Sequence, residues 1–317
     1  MDKEKKLVIL AGPTAVGKTG LSIALAKEIG GEIISADSMQ VYKYMDIGSA
    51  KITPPEMEGI PHYLIDELEP GEEFNVLIFQ KKAKAYMEEI YARGHIPILV
   101  GGTGFYIQAV LYDIDFTKEQ DNHELRRSLE EEAKLRGEKW LHQRLQEVDP
   151  VSARMIHANN VKRVIRALEY YQLTGEPISL HNQKQKEKVS PYDFSYFVLT
   201  DQRERLYRKI DLRVDEMKKK GLVDEVRKLK EMGYDRSFVS MQGLGYKEIL
   251  AFLEDEITLE EALYRIKRDT RHFAKRQLTW FKREKEVIWV NKPDFHNDDG
   301  EIIRYMISKI NHTEKGC

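Results

Sequence analysis

Cysteine is nearly missing from this chain: there is one, Cys317, the last residue. A single thiol excludes an intrachain disulfide and any cysteine-rich zinc site, and it fits a reducing compartment. No apolar run approaches the about 20 residues needed to cross a bilayer. The run at residues 7–11, behind the start Met-Asp-Lys-Glu-Lys-Lys, is also too short for a signal peptide. Net charge is small as well, −2 at neutral pH, although 33% of residues are charged. Any nucleic-acid surface must therefore come from segregated charge rather than from an excess. No repeat or low-complexity array is visible. These absences point to a soluble cytoplasmic protein with no membrane contact. Its 317 residues suffice for one large domain or two modest ones.

What is present starts with Leu7-Val-Ile-Leu-Ala-Gly12-Pro13-Thr14-Ala15-Val16-Gly17-Lys18-Thr19. An apolar run enters Gly-x-x-x-x-Gly-Lys-Thr, and the helical pattern of Leu21, Ile23 and Leu25 follows. That is a P-loop in its required context, between a buried strand and a helix. Glycines let backbone N–H groups wrap phosphate oxygens, and the helix N-terminus adds its dipole. Lys18 adds a point charge, and Thr19 offers a hydroxyl to Mg2+. The loop therefore holds a polyphosphate. Taken alone it fits a nucleotide or nucleoside kinase or an ATPase.

Further strand chemistry falls at residues 32–38, 62–66, 96–100, 194–200 and 287–290, and an amphipathic helix at 74–93 ends at Gly94. Strands alternating with helices argue a parallel sheet covered on both faces, an α/β fold of the P-loop NTPase-like class. From about residue 113 to 188 the pattern is helical and charged, with helices expected at 122–136, 139–148, 150–157 and 160–174. The polar tract at 181–188 reads as a mobile loop. The chain thus divides into a catalytic core, residues 1–112 and 191–317, and an all-helical insertion, 113–190. The C-terminal third reads as helices at 203–219, 223–232, 246–253, 259–283 and 301–310.

Several side chains could carry chemistry. Asp37 stands at the end of the second strand, outside the carboxyl edge where ligands collect in parallel sheets. It could hold Mg2+ through water, cap a helix, or act as a general base. Ser38 and Gln40 can hydrogen-bond a base edge or a phosphate, and Met39 can pack on a base. The strand at 96–100 runs into Gly101-Gly-Thr103-Gly104 with no acid, so the metal-holding aspartate of ordinary ATPases is missing. Three glycines there would let the backbone approach a ligand and leave the Thr103 hydroxyl exposed; a helix-capping turn is the other reading. Basic charge gathers at Lys162-Arg163-Val-Ile-Arg166 and at residues 265–285, where nine Lys or Arg face two acids, with Phe273, Trp280 and Phe281 interleaved. Such a stretch suits a phosphate backbone, although a solvated helix with an aromatic core stripe has the same pattern. Gln242-Gly243-Leu-Gly245-Tyr246-Lys247 offers close backbone approach and a ring for stacking, or simply a helix-entry turn.

Taken together, these segments resemble the tRNA dimethylallyltransferase (tRNA isopentenyltransferase) family. The matching pieces are residues 12–19, Ser35-Ala-Asp-Ser-Met-Gln-Val-Tyr42, Met45-Asp-Ile-Gly-Ser-Ala-Lys51, Val100-Gly-Gly-Thr-Gly-Phe-Tyr106, Lys162-Arg-Val-Ile-Arg-Ala-Leu-Glu169, Gly243-Leu-Gly-Tyr246 and Thr270-Arg-His-Phe-Ala-Lys-Arg-Gln-Leu-Thr-Trp280. They run in family order over nearly the whole chain. Gly104 stands where some members have a larger apolar residue, and Ser49 where many have Thr. The zinc finger of eukaryotic members is not seen, so the chain resembles the compact bacterial form. The resemblance implies transfer of a dimethylallyl group from its diphosphate to N6 of adenosine 37 in tRNAs reading codons that begin with U, with release of pyrophosphate. It implies diphosphate binding by Gly12, Pro13, Thr14, Ala15, Val16, Gly17, Lys18 and Thr19, with Mg2+ held at Thr19. Asp37 would take the N6 proton, and Thr103 would lie in the reaction channel. Contacts to the tRNA anticodon stem-loop would come from Asp37, Ser38, Met39, Gln40, Arg126, Lys162, Arg163, Arg166, Gln242, Gly243, Gly245, Tyr246, Lys247, Lys275, Arg276, Gln277, Trp280 and Lys282. The insertion would act as a clamp, and the enzyme would be a monomer.

Overall fold

The computed structural model describes residues 5–116 and 123–312. The charged start of the chain, Cys317, and Asn122, the expected first residue of the insertion's first helix, lie outside the described residues. The core opens with β1 (Lys6–Ala11), α1 (Lys18–Ile29), β2 (Gly31–Ala36), β3 (His62–Tyr63), α2 (Val76–Ala92), β4 (Ile96–Gly101) and α3 (Gly104–Leu111). The insertion consists of α4 (His123–Arg136), α5 (Glu138–Val148), α6 (Pro150–Met155), α7 (Val161–Thr174) and α8 (Ile178–Lys186). The chain returns through β5 (Asp193–Thr200), α9 (Arg203–Lys220), α10 (Leu222–Glu231), α11 (Tyr246–Leu253), α12 (Leu259–Phe281), β6 (Val287–Asn291) and α13 (Asp299–His312).

The six strands lie in the order β3-β2-β4-β1-β5-β6, and every pairing is parallel. β1 is central because its side chains are apolar on both faces, and Leu7 to Ala11 are all buried. This is the P-loop NTPase-like α/β sheet flanked by helices that strand–helix alternation implies. Leu21 and Leu25 of α1, Leu206 and Ile210 of α9, and Ile302 and Met306 of α13 share one core cluster with Val8, Leu10 and Phe197. α2 and α3 meet through Phe79 and Tyr106, stacked with centroids 4.6 Å apart. The side chain of Asn75 caps α2 by accepting from the Ile78 N–H.

By contact density the chain separates into two compact units, Met1–Val110 with Tyr192–Cys317, and Leu111–Pro191. The second has its own core of Leu129, Leu141, Leu145, Val164, Ile165 and Leu168. Buried Asp149 organises it by accepting from Ser152 N–H at 2.9 Å, Ser152 Oγ at 2.7 Å and Ser179 N–H at 3.0 Å. That last bond fixes the start of α8, which corrects the expectation of a mobile loop at 181–188. The tract is polar, but Gln and Lys are good helix formers, and His181 is buried with its ring 5.3 Å from Tyr170. The third strand is also shorter than the pattern at 62–66 implies. Leu64 and Asp66 take φ of 61° and 54°, and the Leu64 N–H turns to Glu67 Oε1 instead of the sheet.

One buried charge holds the edge of the sheet. Glu32 of β2 accepts from Tyr63 Oη at 2.6 Å, from Arg93 Nε at 3.0 Å and Nη2 at 2.8 Å, and contacts His95 Nδ1 at 2.6 Å. Burial opposes ionisation, but these partners win and hold the carboxyl down at about 2 against an ordinary 4.5. A depressed carboxyl contributes stability above its unfolded value and loses it as pH falls toward the folded one. Glu32→Gln is expected to lower the melting temperature at neutral pH. It should also flatten the loss of stability between pH 4.5 and 2, followed by thermal melts across that range.

Candidate active site

The P-loop needs backbone that L-side chains resist. Gly12 and Gly17 have φ of 147° and 99°, and a Cβ on Gly12 would lie 2.7 Å from Leu199 O. The loop then turns into α1, whose first residues are Lys18 and Thr19. Lys18 Nζ folds back over the loop and donates to Gly12 O and Pro13 O, both at 2.9 Å. Burial pulls its pKa down to about 8; the nearby Arg213 guanidinium pulls the same way, and the Asp37 carboxylate opposes both. Thr19 is exposed on the first turn, and among the described residues nothing bonds its hydroxyl. Thr14 is different: its N–H is committed to Gln277 Oε1 at 2.9 Å, so that amide is not offered to phosphate.

Asp37 leaves the end of β2 beside this loop. Its Oδ1 accepts the Met39 N–H at 2.8 Å, and burial raises its pKa while that bond, Lys18 and the Gln40 amide hold it back. Thr103 follows β4, the neighbour of β2, and its N–H bonds Ala36 O at 3.3 Å, which sets it next to Asp37. Ala15, Val16 and Gly17 border a cavity of about 320 Å³ whose other walls include Lys209, Arg213 and Lys292. Neither Asp37 nor Thr103 lines it, so it extends the phosphate side of the site and not the base side. Arg213 on α9 and Lys292 after β6 escaped the sequence reading. Arg213 sits among alternating charges in Asp211-Leu-Arg-Val-Asp215, and nothing in that string distinguishes it. Buried Lys292 reaches Asp299 Oδ1 at 2.7 Å, and a Cβ on Gly17 would be 3.4 Å from its Nζ.

Glycines at 101, 102 and 104 admit protein rather than ligand, which corrects the reason expected for them. Added Cβ atoms would lie 2.2 Å from Ala36 O, 2.0 Å from Gln277 Nε2 and 2.2 Å from Trp280 Cδ1. Two residues read as tRNA contacts, Gln277 and Tyr246, are buried in the protein, and a third, Trp280, is half-buried. Gln277 is buried with both ends of its amide engaged, and Trp280 packs on Gly104. Tyr246 is fully buried and donates to Glu225 Oε1 at 2.8 Å, so it cannot stack on a base. Glu225 also accepts the N–H groups of Asp46, Ile47 and Gly48 at 3.0, 2.7 and 3.0 Å, and is a third residue missed in the sequence.

The remaining positions are distributed as follows. Ser38 and Met39 are half-buried, and a Cβ on Gly243 would lie 2.5 Å from Met39 Cε. Gln40 accepts from Ser35 Oγ at 3.0 Å and donates to Ala50 O at 3.4 Å. Gln242 is exposed and donates to Arg236 O, Gly245 opens α11, and Lys247 is exposed. In the insertion Lys162 and Arg163 are exposed, while Arg126 and Arg166 reach fully buried Glu169 at 3.0 and 3.3 Å. The basic stretch at 265–285 is only partly available. Lys267 and Arg271 pair with Asp215 and Asp211 of α9 at 2.6 and 2.5 Å, and Arg265 and Arg268 pair along their own helix. Lys275, Arg276 and Lys282 are exposed and make no ion pair among the described residues.

A model of the IPP transferase family matches residues 40–284, and one of isopentenyl transferases matches residues 5–74. The chain belongs to the IPP transferase family. It is 63% identical to the tRNA dimethylallyltransferase of Lachnoclostridium phytofermentans over 97% of this chain and 98% of that protein. It is 52% identical to the enzyme of the same name from Acetivibrio thermocellus over 95% of this chain and 96% of that one. Among solved structures, the full-length tRNA isopentenylpyrophosphate transferase of Bacillus halodurans matches with a TM-score of 0.74 at 44% identity, covering 98% of this chain and 99% of that one. A eukaryotic dimethylallyltransferase acting on tRNA matches with a TM-score of 0.79 at 33% identity, over 90% of this chain and 74% of that one.

In this IPP transferase the donor set also bears on a metal. Among the described residues no group of three or more His, Cys, Asp or Glu could hold one. The exposed Thr19 hydroxyl is the kind of oxygen that would fit a metal arriving on phosphate oxygens. Lys18 makes the site's pH dependence testable. An anion raises the lysine pKa from about 8, so binding takes up a proton above that pH. Inorganic pyrophosphate is expected to bind progressively more weakly as pH rises above 8, measured by calorimetry, and Lys18→Met should remove that slope.

Proposed function

We infer that this chain is an enzyme, a tRNA dimethylallyltransferase, which moves a dimethylallyl group from its diphosphate to N6 of adenosine 37 in tRNAs reading U-starting codons and releases pyrophosphate. The observation that carries the reading is the juxtaposition at the strand ends. The Thr103 N–H bonds the carbonyl of Ala36, the residue before Asp37, and Asp37 lies within the electrostatic reach of the P-loop lysine. Family membership supports the same reading.

The chemistry follows from those groups. The N6 lone pair of adenine is delocalised into its ring, so the amine attacks weakly. Asp37, its pKa raised by burial, accepts the N6 proton as the new C–N bond forms. The allylic C–O bond breaks, and its electron pair leaves on pyrophosphate. Lys18, the loop amides and Arg213 receive that charge. The Thr19 hydroxyl, with the diphosphate oxygens, would hold Mg2+, which when bound would supply further positive charge to the leaving group. A base in a stacked anticodon loop cannot reach this carboxylate, so adenosine 37 flips out of the loop. Water must be kept from the allylic cation, and the flipped base helps to exclude it. Lys162 and Arg163 on the insertion, and Lys275, Arg276 and Lys282 on and after α12, meet the tRNA backbone. All assigned groups come from one chain, and we read the enzyme as a cytoplasmic monomer.

The deciding assay uses radiolabelled dimethylallyl diphosphate and unmodified tRNA, followed by nucleoside analysis. A nucleotide or nucleoside kinase would transfer labelled γ-phosphate from ATP and leave the tRNA unlabelled. Asp37→Ala is expected to reduce kcat by about 10²- to 10⁴-fold while tRNA affinity stays within a few-fold. Unchanged turnover would remove the general-base role. The double variant Lys275→Ala/Arg276→Ala should weaken tRNA binding and lower the slope of log K against log salt by about 1 to 2, read by filter binding across a salt series.

A further inference from the structure

The P-loop and the Thr103 turn leave adjacent strands, with Ala11 in register with Gly101. One residue beyond that register they are still neighbours, since a Cβ on Gly102 would lie 3.4 Å from Gly12 O. One then continues as the phosphate cradle and the other to Thr103. A single side chain from α12 ties them. Gln277 Oε1 accepts the Thr14 N–H at 2.9 Å, and its Nε2 donates to Gly102 O at 3.1 Å. The side chain is buried, and no other side chain among the described residues bonds both loops. Gly102 is complementary to it, since a Cβ there would lie 2.0 Å from Nε2. One helical turn further on, Trp280 fills the matching space over Gly104.

We propose that Gln277 is a positioning residue, a two-headed amide that sets the separation between the diphosphate cradle and the Thr103–Asp37 side of the site. This rests on the reading of the P-loop as a diphosphate cradle. The chemistry of the clamp calls for a primary amide, because one planar group must accept at one end and donate at the other. Glutamate of the same length would keep only the Thr14 bond, and methionine would keep neither. The carbon of one substrate and the nitrogen of the other must meet within a few tenths of an ångström of bonding geometry. A shift of about 1 Å between their holders can cost about 10²-fold in rate without weakening either binding event. The exposed neighbours Lys275 and Arg276 are on the same helix, so the element assigned to tRNA contact also holds the cradle.

The test uses the full chain with dimethylallyl diphosphate and unmodified tRNA, and compares Gln277→Met, Gly102→Ala and the double variant. Gln277→Met is expected to lower kcat by about 10- to 10²-fold, with both KM values and the Kd for inorganic pyrophosphate within about 3-fold. Gly102→Ala should give a similar loss with the Gln277 side chain chemically intact, because its methyl group displaces the amide. The double variant should be no worse than the more damaged single, since both break one contact. A purely packing role predicts instead a lowered melting temperature with kcat per folded molecule within two-fold of wild type, and that result overturns the proposal. Multiplicative losses in the double variant also overturn it. Hydrogen exchange at the Thr14 amide gives an arm independent of turnover: slow in wild type, fast in Gln277→Met. Equal exchange rates reject the clamp. A wild-type protein that labels no tRNA would defeat the reading of the reaction, while the exchange result would still decide the clamp.

Discussion

Everything at the carboxyl edge of the sheet depends on two desolvated charges of opposite sign. Lys18 is driven toward neutrality by burial and by Arg213, and Asp37 is driven toward protonation by burial. Each stabilises the ionised form of the other, and neither has a full set of partners from the protein. Lys18 spends its donors on two loop carbonyls, Gly12 O and Pro13 O, which a phosphate would replace as the better acceptor. Such a pair is costly as structure and useful as chemistry, because one member gains from an arriving anion and the other from an arriving proton donor.

The remaining structure keeps those two charges from relaxing. The C-terminal third supplies the restraints, although neither signature loop comes from it. Gln277 holds the P-loop against the Thr103 turn. Glu225 and Tyr246 hold residues 46–48, where three successive amides form an anion nest that an internal carboxylate fills. Lys51, buried in the same loop, donates to Tyr42 O at 2.7 Å and to Asp46 and Asp66 at 2.6 Å each. Gly243 abuts Met39, two residues from Asp37. The loops near the reacting groups are therefore fixed by side chains that arrive from over 170 residues away.

How much of this was legible depended on the range of the interaction. The P-loop, the central strands and the capped helices follow from local pattern, and the sheet forms as that pattern implies. The family motifs located Asp37 and Thr103 by position. What escaped was everything decided by a distant partner. The stretch at 265–285 looked strongly basic because its compensating acids, Asp211 and Asp215, belong to α9. Tyr246 looked available for stacking because neither Glu225 nor Gly48 is near it in sequence. Arg213 looked like one charge among many on a helix whose buried face is set by tertiary packing. The tract at 181–188 looked mobile because polarity was visible and the Asp149–Ser179 bond anchoring its helix was not.

The missing acid on β4 completes the argument. In an NTP-hydrolysing relative of this sheet, that strand end presents a carboxylate to a metal. Here the same position is Gly101-Gly102-Thr103-Gly104, and the space an acidic side chain would need is filled by Ala36 O, Gln277 and Trp280. None of the three glycines accepts the acid without a shift of its neighbours, because a Cβ at any of them collides with protein. The turn is thus packed as protein, with the Thr103 backbone held on Ala36 O, one residue before Asp37. A metal that only assisted the departure of a leaving group, with no attacking water to orient, would need no such acid: a hydroxyl and the substrate's own oxygens would suffice to hold it.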